Sequence, residues 1–312
     1  MNDILDIKGV SKFYANHTAL NQVDLSIAPN KIFGLLGPNG AGKTSLIRII
    51  NQITGPDEGH LFFDGQPLSP EHQQSIGYLP EERGLYKKMK VGEQALYLAQ
   101  LKGMSKAEAL SNLKEWFLKF EITDWWNKRI DELSKGMQQK VQFIVTIMHK
   151  PKLLILDEPF SGFDPINATL IKNEILQLKE EGTSIILSTH NMSSVEEICD
   201  DIALIYKSNK ILDGSVEEIK EARSGNEFSV KYAGDHMAFT KALWVDAELK
   251  NTQTFANGIH NSTIKLSESK TTNDLLKAIL PHVRVLGLEK VIPSMNDIFI
   301  SRVNEINQEN DE

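Results

Sequence analysis

The chain has 312 residues, 41% of them hydrophobic and 24% charged, and a formal net charge of −8. That length predicts two domains with a sizeable core, and the acidic balance argues against a nucleic-acid coat, so no nucleic-acid partner is expected. A lone Cys199 excludes an internal disulfide and a cysteine-based zinc cluster, and no apolar run reaches the roughly 18 residues of a membrane span, which predicts a cytoplasmic protein.

Residues 4–10 and 22–27 alternate like antiparallel edge strands, and 32–36 form a short apolar run. Directly after it stands Gly37-Pro38-Asn39-Gly40-Ala41-Gly42-Lys43-Thr44, the form of a P-loop. Glycines let the backbone turn tightly and bring its N–H groups against phosphate oxygens. A helix opening near Lys43, with apolar spacing from Ser45 onward, adds the positive end of its dipole. Lys43 is expected to reach the β- and γ-phosphates, Ser45 to complete the phosphate-binding set, and the Thr44 hydroxyl to sit on Mg2+.

Helical patterns over 91–101, 106–120 and 135–149, with Ser105 as N-cap, predict a helical insert at about 91–149. Trp116, Trp125 and Trp126 fall inside it and read as packing residues. Apolar runs at 153–156, 184–188 and 202–206, separated by a helical pattern at 166–179, predict a mainly parallel sheet flanked by helices. The fold class is therefore α/β, with a mainly parallel core sheet, an antiparallel β margin and the helical insert. The run 220–226 reads as a linker, so a first domain is expected over 1–222 and a small α+β domain over 227–303. Within the latter, an apolar–polar helix is expected near 239–245. The acidic end, 304–312, predicts a disordered tail.

The run Leu153-Leu154-Ile155-Leu156-Asp157-Glu158 is an apolar strand ending in two carboxylates, the form of a Walker-B strand. Asp157 is expected to hold Mg2+, directly or through water, and Glu158 to orient or deprotonate the attacking water.

Between the two motifs lies Leu133-Ser134-Lys135-Gly136-Met137-Gln138-Gln139-Lys140. Here the chain resembles the ATP-binding-cassette (ABC) ATPases, whose signature in this place is Leu-Ser-Gly-Gly-Gln. Lys135 and Met137 depart from that pattern, whereas the Ser134 hydroxyl and the Gly136 N–H remain as donors to a γ-phosphate. The resemblance implies ATP and Mg2+ as cofactors and further site residues. Tyr14 would stack on adenine, and Asp164, in the D-loop 161–165, would join the nucleotide-binding set. His190 would contact the γ-phosphate. Glu81 stands where the family usually has a glutamine that contacts Mg2+ and water. The implied catalytic set is Glu158, His190 and Glu81, and the implied metal set is Thr44, Asp157 and Glu81.

In the resembled family the signature of one subunit completes the ATP site of another. The expected partners are thus a second ABC ATPase subunit, a homodimer in preference to a heterodimer, and an integral-membrane permease. The latter would couple through the helical insert and the loop 82–86 and hold the chain at the inner face of the cell membrane. That loop, the Lys-Gly-Met signature and the run Pro293-Ser294-Met295-Asn296-Asp297-Ile298-Phe299 look like the bacterial export branch, which includes sodium-extrusion and antibiotic-efflux ATPase subunits. The expected activity is ATP hydrolysis driving export. Two other readings are a soluble ABC ATPase acting on ribosomes or DNA and an ATP-sensing regulatory dimer. The first usually carries two cassettes or a long coiled coil, and intact Glu158 and His190 count against the second.

Overall fold

The computed structural model of the chain describes residues 3–82, 84–243 and 247–311. It comprises two compact units, Met1–Val216 and Glu217–Glu312.

In the first unit, β1 (Leu5–Tyr14) and β2 (His17–Ile27) form a hairpin. β3 (Ile32–Leu36) leads through the glycine-rich loop into α1 (Lys43–Ile50). β4 (Glu58–Phe63) and β5 (Gln66–Pro67) widen the hairpin into an antiparallel sheet of order β2-β1-β4-β5. After β6 (Ile76–Leu79) comes the helical insert of α2 (Val91–Leu101), α3 (Lys106–Lys119) and α4 (Lys135–Ile147). The chain then runs through β7 (Leu153–Asp157), α5 (Pro165–Glu180), β8 (Ser184–Thr189), α6 (Met192–Ile198), β9 (Asp201–Tyr206) and β10 (Asn209–Ser215). The second sheet has the order β10-β9-β3-β8-β7-β6, parallel from β6 to β9, with β10 antiparallel at its edge.

Burial explains these choices. Every residue of β3, β7 and β8 is buried, as strands covered on both faces require, so they read as unbroken apolar runs rather than alternating ones. One core cluster joins both sheets through Leu5, Ile7, Phe63, Leu35, Ile155 and Ile186. In the insert, Ser105 Oγ accepts from Glu108 N at 3.2 Å and starts α3. Trp126 packs edge-on to Phe117 at 5.5 Å and lies over Gly92, where an added Cβ would come within 2.3 Å of its ring. Cys199 is buried, and burial pushes its thiol up to about 12, an unreactive packing group.

The second unit starts within α7 (Val216–Arg223) and continues through β11 (Glu227–Ala233), α8 (His236–Ala242), β12 (Ala247–Thr254) and β13 (Ile259–Leu266). α9 (Thr272–Ile279), β14 (Arg284–Lys290) and α10 (Met295–Asp311) complete it. The βαββαβ order from β11 to β14, in an antiparallel sheet of order β12-β13-β11-β14, is the ferredoxin-like arrangement. Its core contains Val230, Tyr232, Phe239, Ile264, Leu275 and Ile279, with Tyr232 and Phe239 stacked at 3.9 Å.

Three expectations change. The supposed linker 220–226 is helical as far as Arg223, and the units divide between Val216 and Glu217 rather than after 222. The end of the chain is helical rather than disordered, since α10 runs to Asp311. Ser294 and Asp297 cap its start reciprocally, at 3.1 and 3.2 Å, and Glu305 accepts from Arg223 at 2.7 Å and from Arg302 at 2.9 Å. Arg223 first, then Arg302, pulls the Glu305 carboxyl down to about 2. The helix expected near 239–245 is α8, which starts earlier and ends at Ala242; residues 244–246 lie outside the described residues.

Candidate active site

The sheet order β3-β8-β7-β6 places four chemically loaded chain segments side by side. Leu36 pairs with Thr189, Asp157 with Ser188, and Leu79 with Leu156. The glycine-rich loop after Leu36, His190 after Thr189, the Asp157–Glu158 pair and Glu81 therefore leave the sheet at its carboxyl edge, where open α/β sheets bind ligands. A cleft here takes in Glu81, Gln139, Asp157, Glu158 and Phe163.

The loop is shaped for close backbone approach. Gly37 and Gly42 have φ of +146° and +119°, and a Cβ there would lie 2.2 Å from Ile205 O and 2.3 Å from Ala19 O. Both positions thus require glycine. Gly42 caps α1 without a side-chain hydrogen bond, and the first turn holds no acid, leaving a helix N-terminus suited to an anion. Lys43 is buried, its Nζ donating to Gly37 O at 2.6 Å and Pro38 O at 3.1 Å. Burial lowers its pKa, while Glu158, Asp157 and Glu81 act the other way, which brings one cation and three carboxylates into mutual reach.

Asp157 and Glu158 are held differently. Asp157 is 5% exposed and accepts from Ser188 Oγ at 2.7 Å. Glu158 has φ +49°, a left-handed conformation that costs a glutamate on the order of 1 kcal/mol and is fixed here by Glu158 N donating to Ser188 O at 2.9 Å. Its carboxylate accepts from Thr189 Oγ1 and from His190 N, both at 3.0 Å, and lies 2.5 Å from His190 Nδ1. Ser188 and Thr189 are the functional neighbours that the motif reading passes over. Their one signal is two hydroxyls that follow the apolar stretch Ile185-Ile186-Leu187 at the end of a fully buried strand.

Burial, helped by Glu81 and Glu158, raises the Asp157 pKa; the Ser188 bond and Lys43 oppose this. A raised carboxyl pKa means that the folded state holds the proton more tightly than the unfolded chain. Its ionisation therefore costs stability as pH climbs from 3.8 through the raised value. Asp157→Asn, which retains an acceptor for Ser188, is expected to stabilise the ligand-free chain at pH 7 by about 1 kcal/mol, or ~2–4 °C in Tm. That gain should shrink as pH falls toward 3.8 in scanning fluorimetry. A lower Tm at pH 7 would contradict this reading.

The remaining candidates are placed as follows. Glu81 is exposed and acts electrostatically on Lys43, Asp157 and Tyr78. Tyr14 is 41% exposed at the hairpin end, where it pairs with His17, one step from Thr18. Ala19 beside it meets Gly42, and Ser208 ties Thr18 to Ala41, so the hairpin end adjoins the glycine-rich loop. Ser134 caps α4, its Oγ accepting from Met137 N at 3.3 Å, and none of the described hydrogen bonds joins it to Lys43, Asp157 or Glu158. Gln138 fixes the approach to that turn by donating to Ile130 O and Leu133 O at 3.1 and 2.9 Å. Asp164 caps α5, accepting from Ile166 N and Asn167 N at 3.0 Å, so its carboxylate is engaged within its own helix turn. Gln139, from α4, donates to the Ser161 carbonyl in the same loop.

The family model described as ABC transporter matches residues 20–161, and one described as the C-terminal domain of DrrA1-3-like ATP-binding proteins matches 214–303. The uncharacterized ABC transporter ATP-binding protein YhaQ of Bacillus subtilis (strain 168) is 39% identical over 97% of this chain and 99% of its own. The chain belongs to the ABC transporter ATP-binding proteins. The linearmycin resistance ATP-binding protein LnrL of the same organism is 28% identical over 96% of this ABC protein and 97% of its own length. A solved structure of an ATP-binding subunit of an ABC transporter superposes with a TM-score of 0.66 at 27% identity, covering 70% of this chain and 92% of that one. As a member of this family the chain is an ATPase coupled to transport.

The residues of this ABC ATPase fit Mg2+ with ATP. Among the described residues no cluster of three or more His, Cys, Asp or Glu could cage a metal by itself. One buried carboxylate and one loop hydroxyl suit Mg2+, which usually takes one or two protein oxygens and completes its shell from phosphates and water. Asp157 and Thr44 would be the residues to hold it.

Proposed function

We propose that this ABC ATPase works as one half of a two-chain clamp that hydrolyses Mg-ATP and drives export through a separate integral-membrane permease. The observation that carries the catalytic part is the row of strand ends β3-β8-β7-β6, which aligns Lys43, His190, Asp157–Glu158 and Glu81 along one edge. Lys43 and the loop N–H groups bind the triphosphate, and Thr44 and Asp157 hold Mg2+, which neutralises phosphate charge. Glu158 accepts a proton from the attacking water, and His190 keeps that carboxylate in place. Tyr14, exposed beside the loop, offers a ring for the adenine.

Glu81 extends the carboxylate row where its relatives' usual glutamine would be neutral. It is assigned to the metal and water shell, on its electrostatic reach to Asp157 and Lys43. Glu81→Ala is expected to slow Mg-ATP turnover about tenfold or more with the fold intact; unchanged turnover and Mg2+ dependence would remove Glu81 from the site.

The two-chain part is supported by Gly136. A Cβ there would meet only Phe163, at 4.0 Å, so its own chain leaves room for a side chain. An incoming phosphate held by a second subunit supplies a reason for glycine. Gly136→Asp is expected to change stability by less than about 0.5 kcal/mol. It should nevertheless abolish ATP-dependent association in light scattering, because a carboxylate would face the γ-phosphate. Association at the wild-type ATP concentration would sink the clamp assignment.

Among the described residues no helix is long and apolar enough to cross a membrane, which leaves the transport pathway to a partner. Export, rather than uptake, is favoured by likeness to a linearmycin resistance protein over nearly the whole chain. The permease is assigned to the loop after Glu81 and the helical insert; Arg83 in that loop lies outside the described residues. Turnover by the chain co-purified with its membrane subunit, measured with and without candidate cargo in vesicles, tests the export reading.

A further inference from the structure

The cleft that takes in Asp157 and Glu158 is small, a hollow of about 10 Å3, which is room for one water molecule. Phe143 and Phe163 make part of its wall apolar, and its polar lining includes Glu81, Gln139, Asp157 and Glu158. Gln139 is the member of this set to which neither the motifs nor the mechanism above gives a task.

The cleft is rich in acceptors and short of donors. Gln139 commits its amide N–H to the Ser161 carbonyl, and its Oε1 is sealed from solvent with no donor among the described residues. Gln142 also lines the cleft, yet of these two glutamines only Gln139 has an amide atom shut away in this manner. Asp157, Glu158 and Glu81 add carboxylate oxygens. Glu158 Oε2 takes one hydrogen bond, from Thr189 Oγ1, and so retains a second lone pair. A sealed amide oxygen without a donor costs about 1–3 kcal/mol, which a bound donor would recover. Water fits both the space and the need. It brings two protons for two of these acceptors, and the carboxylates and the amide oxygen donate nothing in return, so its own lone pairs stay free.

We infer that Gln139 belongs to the hydrolytic site: its Oε1 accepts one proton of the attacking water while Glu158 accepts the other, which leaves an oxygen lone pair to meet phosphorus. The proton facing Glu158 is the one transferred. As the water oxygen bonds to the γ-phosphorus, the bond from that phosphorus to the bridging oxygen of ADP breaks, and the hydrogen bond to Gln139 is kept throughout. The inference rests on the reading of Glu158 as base and deepens it. With a glutamate at 81, the neutral amide beside the water comes from α4 instead. Gln139 also stands one turn beyond Gly136 on α4, so the helix assigned to the partner's phosphate through its first turn holds its own chain's water through the next.

Gln139→Met keeps the length of the side chain and removes both amide atoms. In single-turnover hydrolysis by the full chain it is expected to slow the chemical step about ten- to a hundredfold. The Kd for a fluorescent ATP analogue should stay within about threefold, because the side chain meets water rather than nucleotide. In the Glu158→Gln background the same change should cost less than about threefold more, since both side chains act on one water and such losses do not add. A glutamine that merely latched the Ser161 loop would instead multiply its loss onto that of Glu158→Gln. Gln139→Ala is expected to repeat the pattern, with circular dichroism and Tm reporting the fold of both variants. Full additivity, an unchanged rate in Gln139→Met, or a loss of ATP affinity as large as the loss of rate overturns the inference and leaves Glu158 in place. Wild-type hydrolysis by Glu158→Gln itself removes the base first, and this inference with it.

Discussion

Lys43→Ala is expected to weaken ATP binding by roughly a hundred- to a thousandfold, measured by equilibrium titration with a fluorescent ATP analogue. The size follows from where the ammonium sits. Lys43 is 7% exposed, inside the loop it would serve, and its Nζ is anchored by the carbonyls of Gly37 and Pro38. It is also the cation set against Asp157, Glu158 and Glu81. Without it, a triphosphate would enter a site whose nearest side-chain charges are three carboxylates, which repel it unless Mg2+ compensates. Removing the ammonium relieves its desolvation but leaves the Gly37 and Pro38 carbonyls without their donor and three carboxylates uncompensated, so circular dichroism on the variant separates lost binding from lost fold. Binding within threefold of wild type would contradict the assignment of this loop.

Glu158→Gln is expected to lower the turnover rate by about a hundred- to ten-thousandfold while leaving ATP affinity within a few fold. Glutamine retains the length of the side chain and one oxygen, which can still accept from Thr189 Oγ1, one of the bonds that position Glu158 in the ligand-free chain. What disappears is the basic oxygen beside His190 Nδ1. Steady-state phosphate release and nucleotide binding, measured on one preparation, separate the two effects. A variant that loses both together has lost the site geometry rather than the base. A variant that turns over at the wild-type rate would reassign the base to another group.

Much of the architecture was legible because burial writes it plainly. β3 coincides with the apolar run 32–36, since a strand covered on both faces must be apolar at each position. α2 begins and ends where helical spacing places it, and α3 and α4 start as expected because Ser105 and Ser134 cap them. Long-range pairing was not legible. Nothing local in residues 220–226 announces that Arg223 meets Glu305, the contact that steadies α7 and α10 against a reading of linker and tail. β4, β5 and β10 also passed unnoticed, being short or half-exposed and lacking clean alternation.

The site shows the same division. Lys43, Asp157 and Glu158 stand in ordered motifs, so the residue types themselves suggest phosphate, metal and water. Their juxtaposition depends on strand order, because β8 must lie between β3 and β7 for Ser188 to reach Asp157 and Thr189 to reach Glu158. The left-handed backbone at Glu158 is equally invisible in sequence, where glutamate carries no expectation of positive φ. Asp164 shows how a motif residue acquires a local task, since both of its oxygens are turned inward to start α5.

The central claim is that ATP joins two copies of this chain and that hydrolysis separates them. Light scattering on Glu158→Gln, with and without Mg-ATP, tests it most directly because ATP is bound but not consumed. The account predicts a shift from monomer to twice the monomer mass on adding Mg-ATP, reversed by Mg-ADP exchange. A variant that binds Mg-ATP tightly and stays monomeric at concentrations well above its nucleotide Kd would contradict it.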